Sequence, residues 1–275
     1  MKPGPVVIKL GGLAVEDPGR ATPLLRAVID LHRAEPAGVI IVHGGGRAVD
    51  EHLARLGLVP RREAGLRVTP ESEINEVVAV LAGSVNKSIV GAVQSLGAPA
   101  VGLCLGDGLT ARARPLTVRG VDLGRVGEID GGSPSLLRLL LAERYIPVIS
   151  PIALDEGGRP LNVNGDDAAA AIAAIVGARL LVLLTNVPGV LDASGRTAPE
   201  LGAPAIEALI GSGVVHGGMI PKVRAAVRAA TIARAPALIA SWDAPADLQR
   251  LARGERVGTR VLPDGLEPAS SGGIA

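Results

Sequence analysis

The chain has 275 residues, of which 48% are hydrophobic and 20% charged, so it can form a folded core in one large domain or two smaller ones. Its 28 Lys and Arg residues are balanced by 27 Asp and Glu, and a net charge of +1 excludes the basic surface that non-specific nucleic-acid binding or a polybasic membrane anchor requires. Phe is absent and Trp and Tyr occur once each, which argues against a stacking platform for single-stranded nucleic acid, and the single Cys104 excludes an internal disulfide and a cysteine-based zinc site.

The N-terminal third alternates short apolar runs with helical patterns. The apolar runs predict strands over residues 6–10, 38–42 and 100–105, and helical periodicity predicts helices over residues 22–34, 47–56 and 72–96, with Gly83 as a candidate break in the last. Continuous apolar strands followed by glycine turns and helices are typical of a parallel sheet buried on both faces. No run approaches the ~18 apolar residues of a membrane span, so we expect a soluble cytoplasmic protein with no membrane partner.

The middle of the chain has a different pattern. Alternating polar and apolar residues over 110–118 and 121–129 predict a β-hairpin on the outside of the fold. A helix over residues 134–144 and a strand over residues 146–149 follow. The Asp-Glu-Gly-Gly segment at residues 155–158 predicts a turn before an extended segment at residues 160–164.

The last part returns to alternating helices and strands. We predict an alanine-rich helix over residues 167–176 with Asp166 as its N-cap, a strand over 180–184, helices over 203–211 and 221–234, and a strand over 237–240. Residues 263–275 are polar and glycine-rich and are expected to be disordered. A division near Ala178 would separate an N-terminal part, 1–178, from a C-terminal part, 179–275.

Three predicted strands end in glycine-rich turns, at residues 9–12, 43–46 and 106–108. In open α/β sheets, ligands bind beyond the carboxyl ends of the strands, and glycine lets a phosphate or carboxylate approach the backbone N–H groups. The alternative is that these glycines only form packing turns. No P-loop signature is present, and no G-x-G-x-x-G opens the first helix, which disfavours a dinucleotide oxidoreductase.

A few polar side chains fall at the ends of these elements. Lys9 and Lys222 are two of only four lysines, and a compact ammonium group suits a moving phosphoryl group. Arg67 has the planar fork that binds a carboxylate, and Asn162 and Asn164 lie on one face of an extended segment. The alternatives are that Arg67 is only a solvated surface charge and that the two asparagines only stabilise a turn. The histidines lack metal-ligand spacing, Cys104 is expected to be a small buried hydrophobe, and no metal site is predicted.

Taken in order, these motifs resemble the amino acid kinase family, and within it the acetylglutamate kinases. The resemblance extends to about residue 261 and is carried by seven segments: VIKLGG at 7–12, IVHGGG at 41–46, GLRVT at 65–69, LGDG at 105–108, NVNGD at 162–166, LTNVPG at 184–189 and GMIPK at 218–222. It implies an αβα sandwich with a mostly parallel open sheet. It also implies that residues 1–178 bind N-acetyl-L-glutamate and form the dimer contact, and that residues 179–275 bind ATP.

The resemblance also implies the reaction and its residues. The γ-phosphoryl group of ATP would move to the side-chain carboxylate of N-acetyl-L-glutamate in arginine biosynthesis, with Mg²⁺ carried by the ATP phosphates. Lys9 and Lys222 would stabilise the transferring group, and Asp166 would hold both ammonium groups. The substrate-binding residues would be Gly44, Gly45, Arg67, Asn162 and Asn164. The nucleotide-binding residues would be Gly11, Gly12, Thr185, Asn186, Val187, Pro188, Gly189, Gly218 and Met219.

Two of the departures of this sequence from the family pattern bear on its function. Asn186 stands where the family usually has Asp, and the first strand begins almost at once, whereas arginine-inhibited members carry an N-terminal helix before it. We therefore expect a homodimer without arginine inhibition. Two alternatives stay open at this point: a kinase for acetylated 2-aminoadipate in lysine biosynthesis, and a non-catalytic ligand sensor on the same fold.

Overall fold

The computed structural model describes residues 4–11, 18–63, 65–118 and 120–266. The strands are β1 (Val6–Leu10), β2 (Val39–His43), β3 (Arg61–Glu63), β4 (Leu66–Val68), β5 (Ala100–Cys104), β6 (Arg112–Pro115), β7 (Val126–Gly131), β8 (Ile146–Ser150), β9 (Ile152–Leu154), β10 (Pro160–Val163), β11 (Leu180–Thr185), β12 (Glu200–Leu201), β13 (Ala237–Ser241) and β14 (Thr259–Val261). The helices are α1 (Pro18–Ala34), α2 (Gly46–Arg55), α3 (Ile74–Ser95), α4 (Ser135–Ala142), α5 (Gly165–Val176), α6 (Ala203–Gly211), α7 (Met219–Ala233) and α8 (Pro245–Ala252).

Eight of these strands form the central sheet, in the order β12-β14-β13-β11-β1-β2-β8-β5. Neighbouring strands are parallel except for β13 and β14. Strand β1 lies in the middle, and its Lys9 is in register with Val42 of β2 and Leu183 of β11. The predicted three-layer αβα sandwich with a mostly parallel open sheet is confirmed.

Two apolar clusters cover the two faces of the sheet. Along β1, Val7 belongs to one cluster and Ile8 to the other, because successive side chains of a strand point to opposite faces. The first cluster contains buried residues of α5 and α7, and the second contains buried residues of α1, α3 and α8. This double coverage explains why the central strands are apolar along most of their length.

A smaller sheet, in the order β6-β7-β10-β9, lies beside the central one. Arg125, just before β7, joins its strands: its side chain donates to the carbonyl of Pro160 at 3.1 Å and to the carboxylate of Asp155 at 2.8 Å. The Arg125 carbonyl accepts from the N–H of Asn162, and its N–H donates to the carbonyl of Thr69. One buried arginine therefore fixes the position of β10, the strand that leads to Asn162 and Asn164.

The structure differs from the predicted elements in several places. The predicted hairpin at residues 110–129 is an antiparallel pair, β6 with β7, but β7 also pairs in parallel with β10. Sequence patterns missed the short hairpin β3–β4, helix α8 and strands β12 and β14. Residues 263–266, predicted as the start of a disordered tail, form a turn in which the N–H of Asp264 donates to Thr231. Residues 267–275 lie outside the described part of the chain.

Helix α3 is continuous, but it changes geometry near the predicted break at Gly83. Its middle, Ala79–Val85, is a π-helix between two α-helical segments. It is also the one helix in the described residues that is long and apolar enough to cross a membrane. Several of its apolar residues, among them Val77 and Val93, are buried in the core cluster, and 39% of its apolar stretch is buried.

The Arg125–Asp155 pair predicts a pH dependence of stability. The hydrogen bond from Arg125 lowers the pKa of Asp155 from 3.8 to about 2. The contribution of this pair to the free energy of unfolding is therefore complete above the pKa of Asp155 in the unfolded state, and it is lost as the pH falls through the pKa in the folded state. Asp155→Asn should lower the free energy of unfolding by about 3 kcal/mol at pH 7, because it breaks a buried pair. The difference in free energy of unfolding between this variant and the unmodified protein, measured by urea unfolding, should shrink as the pH falls from about 4 to about 2.

Glu128→Gln is the matched control for this prediction, since it removes an exposed pair with Arg114 on the same small sheet. We expect it to change stability by less than about 1 kcal/mol. Equal losses for the two variants at neutral pH would contradict the assignment.

Candidate functional site

Two cavities open next to each other at the carboxyl ends of β1, β2 and β11. The glycine-loop cavity, about 180 Å³, is lined by Gly44, Gly45, Gly46, Arg67, Asn162 and Asn164 among others. The lysine cavity, about 290 Å³, is lined by Lys9, Gly11, Asp166, Thr185, Asn186, Lys222 and Trp242 among others. Both predicted lysines therefore face one space, although they are 213 positions apart in the chain.

Lys9 is held by the N-terminal turn of α5. Its ammonium nitrogen lies 2.9 Å from a carboxylate oxygen of Asp166, and its side chain is 19% exposed. Lys9 reaches this position because β1 ends there and α5 packs against β1. The ion pair orients the ammonium group while leaving it accessible to a ligand.

Lys222 has a different partner from the one predicted. Its ammonium nitrogen donates to the side-chain oxygen of Asn186 at 2.5 Å. Asp166, expected to hold both lysines, pairs only with Lys9 among the described residues. Because the Asn186 amide is neutral, the positive charge of Lys222 is not compensated by an ion pair there. The lysine cavity thus carries two cations and one carboxylate, which favours an anionic ligand.

The prediction that Asp166 caps helix α5 is wrong. The helix begins at Gly165, and Asn164 is the N-cap: its side-chain oxygen accepts from the N–H groups of Asp166 at 2.8 Å and Asp167 at 3.2 Å. The cap leaves the Asp166 carboxylate free to pair with Lys9. These two hydrogen bonds also occupy the side-chain oxygen of Asn164. The predicted contact of Asn164 with a ligand therefore stays a prediction for its amide nitrogen alone.

The glycine loop between β2 and α2 supplies donors, but not all those expected. The N–H of Gly44 donates to the carbonyl of Leu10 and is therefore not available to a ligand. Gly45 has φ +149, a backbone conformation that favours glycine, and a Cβ there would lie 2.7 Å from the end of the Leu81 side chain. Helix α2 starts directly after it, and the partial positive charge at the N-terminus of this helix favours a negative charge in the cavity.

Arg67 provides the second set of donors in the glycine-loop cavity. One terminal nitrogen donates to the carbonyl of Gly46 at 2.7 Å and lies 2.6 Å from the carboxylate of Asp50. The side chain is only 8% exposed, and its other terminal nitrogen is buried without a hydrogen-bond partner in the described structure. A buried guanidinium nitrogen without a partner is a strong donor for a carboxylate ligand.

Asp50 and Arg62 were missed by sequence reasoning. Burial opposes ionisation of Asp50, but hydrogen bonds from Arg67 and Arg62 outweigh it and keep the pKa of the Asp50 carboxyl below its usual range. Asp50 thus stays ionised and holds both guanidinium groups at the cavity. Asp50 lies on α2 and both arginines lie on the β3–β4 hairpin, which the sequence pattern did not predict.

The remaining predicted residues divide into two groups. Asn162 lines the glycine-loop cavity and donates to Thr69 at 3.1 Å, and Gly11, Thr185 and Asn186 line the lysine cavity. Five others are not among the residues that line these cavities: Val187, Pro188, Gly189, Gly218 and Met219. Gly12 lies outside the described residues. Trp242, which sequence reasoning did not single out, lies close to Gly11 in the lysine cavity.

The described residues contain no cluster of three or more His, Cys, Asp or Glu side chains with a geometry suited to a metal ion. Asp166 is the carboxylate that faces the lysine cavity, and it is paired with Lys9. A divalent cation in this cavity would thus take most of its ligands from a bound molecule rather than from the protein.

The chain is similar in sequence to known proteins of one family. A model of the amino acid kinase family matches residues 4–241. Acetylglutamate kinase of Proteus mirabilis (strain HI4320) is 42% identical over 258 residues, which cover 94% of this chain and 99% of that protein. Acetylglutamate kinase of Colwellia psychrerythraea (strain 34H / ATCC BAA-681) is 42% identical over 260 residues, with 94% and 97% covered.

Two solved structures have a similar fold. N-acetylglutamate synthase from Neisseria gonorrhoeae, complexed with coenzyme A and N-acetyl-glutamate, superposes with a TM-score of 0.77 at 25% identity, over all of this chain and 63% of that one. Giardia carbamate kinase superposes with a TM-score of 0.64 at 20% identity, over 95% and 99% of the two chains.

The cap of α5 predicts a matched pair of variants. Asn164→Ala removes the acceptor for two N–H groups and should lower the free energy of unfolding by about 1 kcal/mol. Asn164→Asp keeps a capping oxygen and should restore most of that loss. Thermal unfolding of the two variants checks the assignment, and equal melting temperatures would contradict it.

Proposed function

The chain belongs to the amino acid kinase family, and on this premise we propose that it transfers the γ-phosphoryl group of ATP to the side-chain carboxylate of N-acetyl-L-glutamate. The products are N-acetyl-L-glutamyl 5-phosphate and ADP, and the reaction belongs to arginine biosynthesis. Relatives named acetylglutamate kinase, at 40–42% identity over 94% of the chain, support this acceptor over acetylated 2-aminoadipate.

One observation carries the proposal: an anion-binding cavity with two cations adjoins a cavity built to bind a carboxylate. A Cβ at Gly165 would lie 3.7 Å from both the side chain of Lys9 and the backbone of Gly44, so these parts of the two cavities meet at one glycine. A phosphoryl donor in the lysine cavity and a carboxylate acceptor in the glycine-loop cavity would therefore have their reacting ends close to Lys9.

The chemistry requires charge stabilisation rather than proton transfer. The acceptor carboxylate is already ionised at pH 7, so no general base is needed. The difficulty lies in bringing two anions together and in stabilising the charge on the equatorial oxygens of a loose transition state. Lys9, oriented by Asp166, and Lys222, oriented by Asn186, provide cations in the cavity where that charge develops.

The acceptor is held by donors of the glycine-loop cavity. The partnerless nitrogen of Arg67 would bind a carboxylate of N-acetyl-L-glutamate, and the N-terminus of α2 adds a partial positive charge that favours an anion. Along the same cavity, the side-chain oxygen of Asn162 would be a further acceptor and the amide nitrogen of Asn164 a further donor. Positioning of this kind supplies a large part of the rate in reactions between two bound substrates.

The nucleotide would follow the carboxyl ends of β11 and β13. Thr185 and Asn186 line the cavity itself, and residues 187–189, Gly218 and Met219 are proposed to contact the parts of ATP that extend beyond it. Mg²⁺ enters this proposal as the counter-ion of the ATP phosphates. We also propose a cytoplasmic homodimer, and the absence of arginine inhibition stays a prediction.

Measurement of ADP release with three acceptors side by side tests the function. Acetylglutamate should support turnover, whereas glutamate and acetylaminoadipate should give kcat/KM values lower by at least about tenfold, since one methylene in a pocket is worth about 1–3 kcal/mol. Equal or faster turnover of acetylaminoadipate would reassign the acceptor. ATP binding without any acceptor-dependent turnover would favour the ligand sensor.

Removal of either ammonium group should slow the chemical step. Lys9→Ala and Lys222→Ala should each lower kcat by about 10²-fold or more, as the loss of a preorganised charge contact does in other enzymes. Arg224→Ala is the control, because this exposed cation lies on the same turn of α7 but pairs with Glu207 away from the cavity. It should leave kcat within about twofold of the unmodified protein.

Removal of the carboxylate-binding group should weaken acceptor binding. Arg67→Ala should raise the KM for acetylglutamate by at least about tenfold with a smaller change in the KM for ATP. Arg61→Ala, on the exposed face of the same hairpin, serves as the control. A rise in the KM for ATP as large as that for acetylglutamate would contradict the assigned position of the acceptor.

A further inference from the structure

A buried polar network lies behind the glycine loop and contacts neither proposed substrate cavity with its side chains. His43, the last residue of β2, is fully buried, and Asn86, on α3, is 1% exposed. The Asn86 amide nitrogen donates to the carbonyl of Val148 at 2.9 Å and lies 3.2 Å from Nε2 of His43. The Nδ1 atom of His43 lies 2.6 Å from the carbonyl oxygen of Gly44.

The partners at the two ends of this network determine where its protons lie. The Val148 carbonyl only accepts, so the Asn86 atom facing it is the amide nitrogen, and Nε2 of His43 accepts from the same group. The Gly44 carbonyl also only accepts, so Nδ1 of His43 carries the proton and donates it. Burial lowers the pKa of His43 to about 4, which keeps the ring neutral at physiological pH.

Two local features make room for this arrangement. Helix α3 passes from π-helical to α-helical geometry at Asn86, and the π-helical segment packs Leu81 and Val85 close to Gly45. On β5, Gly102 leaves space, since a Cβ there would lie 2.0 Å from the side-chain oxygen of Asn86. That oxygen accepts from Lys87 at 3.1 Å, so both ends of the amide are bonded.

The consequence for the acceptor cavity follows from peptide geometry. The Gly44 carbonyl and the Gly45 N–H belong to one planar trans peptide and point in opposite directions. The Gly44 N–H, which belongs to the preceding peptide, donates to Leu10, and the Gly44 carbonyl accepts from His43. The backbone is therefore held on both sides of Gly44, and the 44–45 peptide is held through its carbonyl. Its free group, the Gly45 N–H, then has one orientation, at a residue that lines the glycine-loop cavity.

We propose that His43 and Asn86 are positioning residues: the neutral imidazole, held by the Asn86 amide, fixes the Gly44–Gly45 peptide so that its N–H meets the acceptor carboxylate. Neither side chain touches a substrate. This inference rests on the proposed function, because it assigns a role in binding the acceptor rather than ATP.

The kinetic test compares two amides on the same helix. Asn86→Ala should raise the KM for acetylglutamate about tenfold, the factor expected for one misplaced hydrogen bond, and leave the KM for ATP within about twofold. Gln94→Ala is the matched control, since it removes an amide-to-carbonyl hydrogen bond from α3 to Ala100, away from the cavity. An equal rise in both KM values, an unchanged KM for acetylglutamate, or the same effect in Gln94→Ala would overturn the proposal.

A spectroscopic test uses the unmodified protein and so does not depend on the folding of a variant. Long-range ¹H–¹⁵N NMR spectra of the four histidines should show His43 as the neutral Nδ1–H tautomer between pH 6 and pH 8. His43 is identified as the signal that persists when each of the other three is replaced in turn. An Nε2–H tautomer, or an ordinary titration near pH 6.5, would overturn the proposal.

The two tests separate this inference from the function on which it rests. If the unmodified protein releases no ADP in response to acetylglutamate, the proposed function fails, whatever the state of His43. If turnover is normal but His43 has the other tautomer, only the positioning role fails.

Discussion

The arrangement of the site depends on charge: two ammonium groups and one carboxylate share a cavity of about 290 Å³. Lys9 is paired with Asp166, whereas Lys222 is hydrogen-bonded to a neutral amide that does not compensate its positive charge. Such a cavity is unfavourable when empty and favourable when it holds a phosphate, because like charges repel and a bound anion relieves that repulsion. The fold serves this requirement by bringing the ends of β1, β11 and α7 to one place.

The fold supports the charge through backbone contacts. Asn164 caps α5 and thereby directs the Asp166 carboxylate toward Lys9 rather than toward its own helix. Arg125, in turn, fixes the strand that leads into Asn164 by a hydrogen bond to the Pro160 carbonyl and an ion pair with Asp155. Lys9 and the buried Arg125 are thus linked through one short segment, residues 160–166. A change at either residue would alter the position of the other.

Much of this organisation could be predicted from sequence, for identifiable reasons. Residues 180–184 are apolar throughout and residues 6–10 are apolar except for Lys9, and such a pattern indicates a strand buried on both faces. Lys9 and Lys222 stood out because lysine is scarce in a chain that otherwise uses arginine. The cap was assigned to the wrong residue because Asn164 and Asp166 are both good N-caps, and only the three-dimensional start of the helix distinguishes them. Asp50, Arg62 and Trp242 carry no local signal, since their positions depend on contacts between distant segments. The partner of Lys222 was likewise set by tertiary packing and not by any spacing along the chain.

The position of β1 in the sheet has a consequence for how the chain folds. Its neighbour on one side, β2, follows within about 40 residues, but its neighbour on the other side begins only at Leu180. On a ribosome that adds roughly 5–20 residues per second, this edge stays without its partner for many seconds. An unpaired apolar edge is a template for pairing with another chain. This protein would therefore depend most on chaperones, and be most prone to aggregate, while only its N-terminal half has been synthesised.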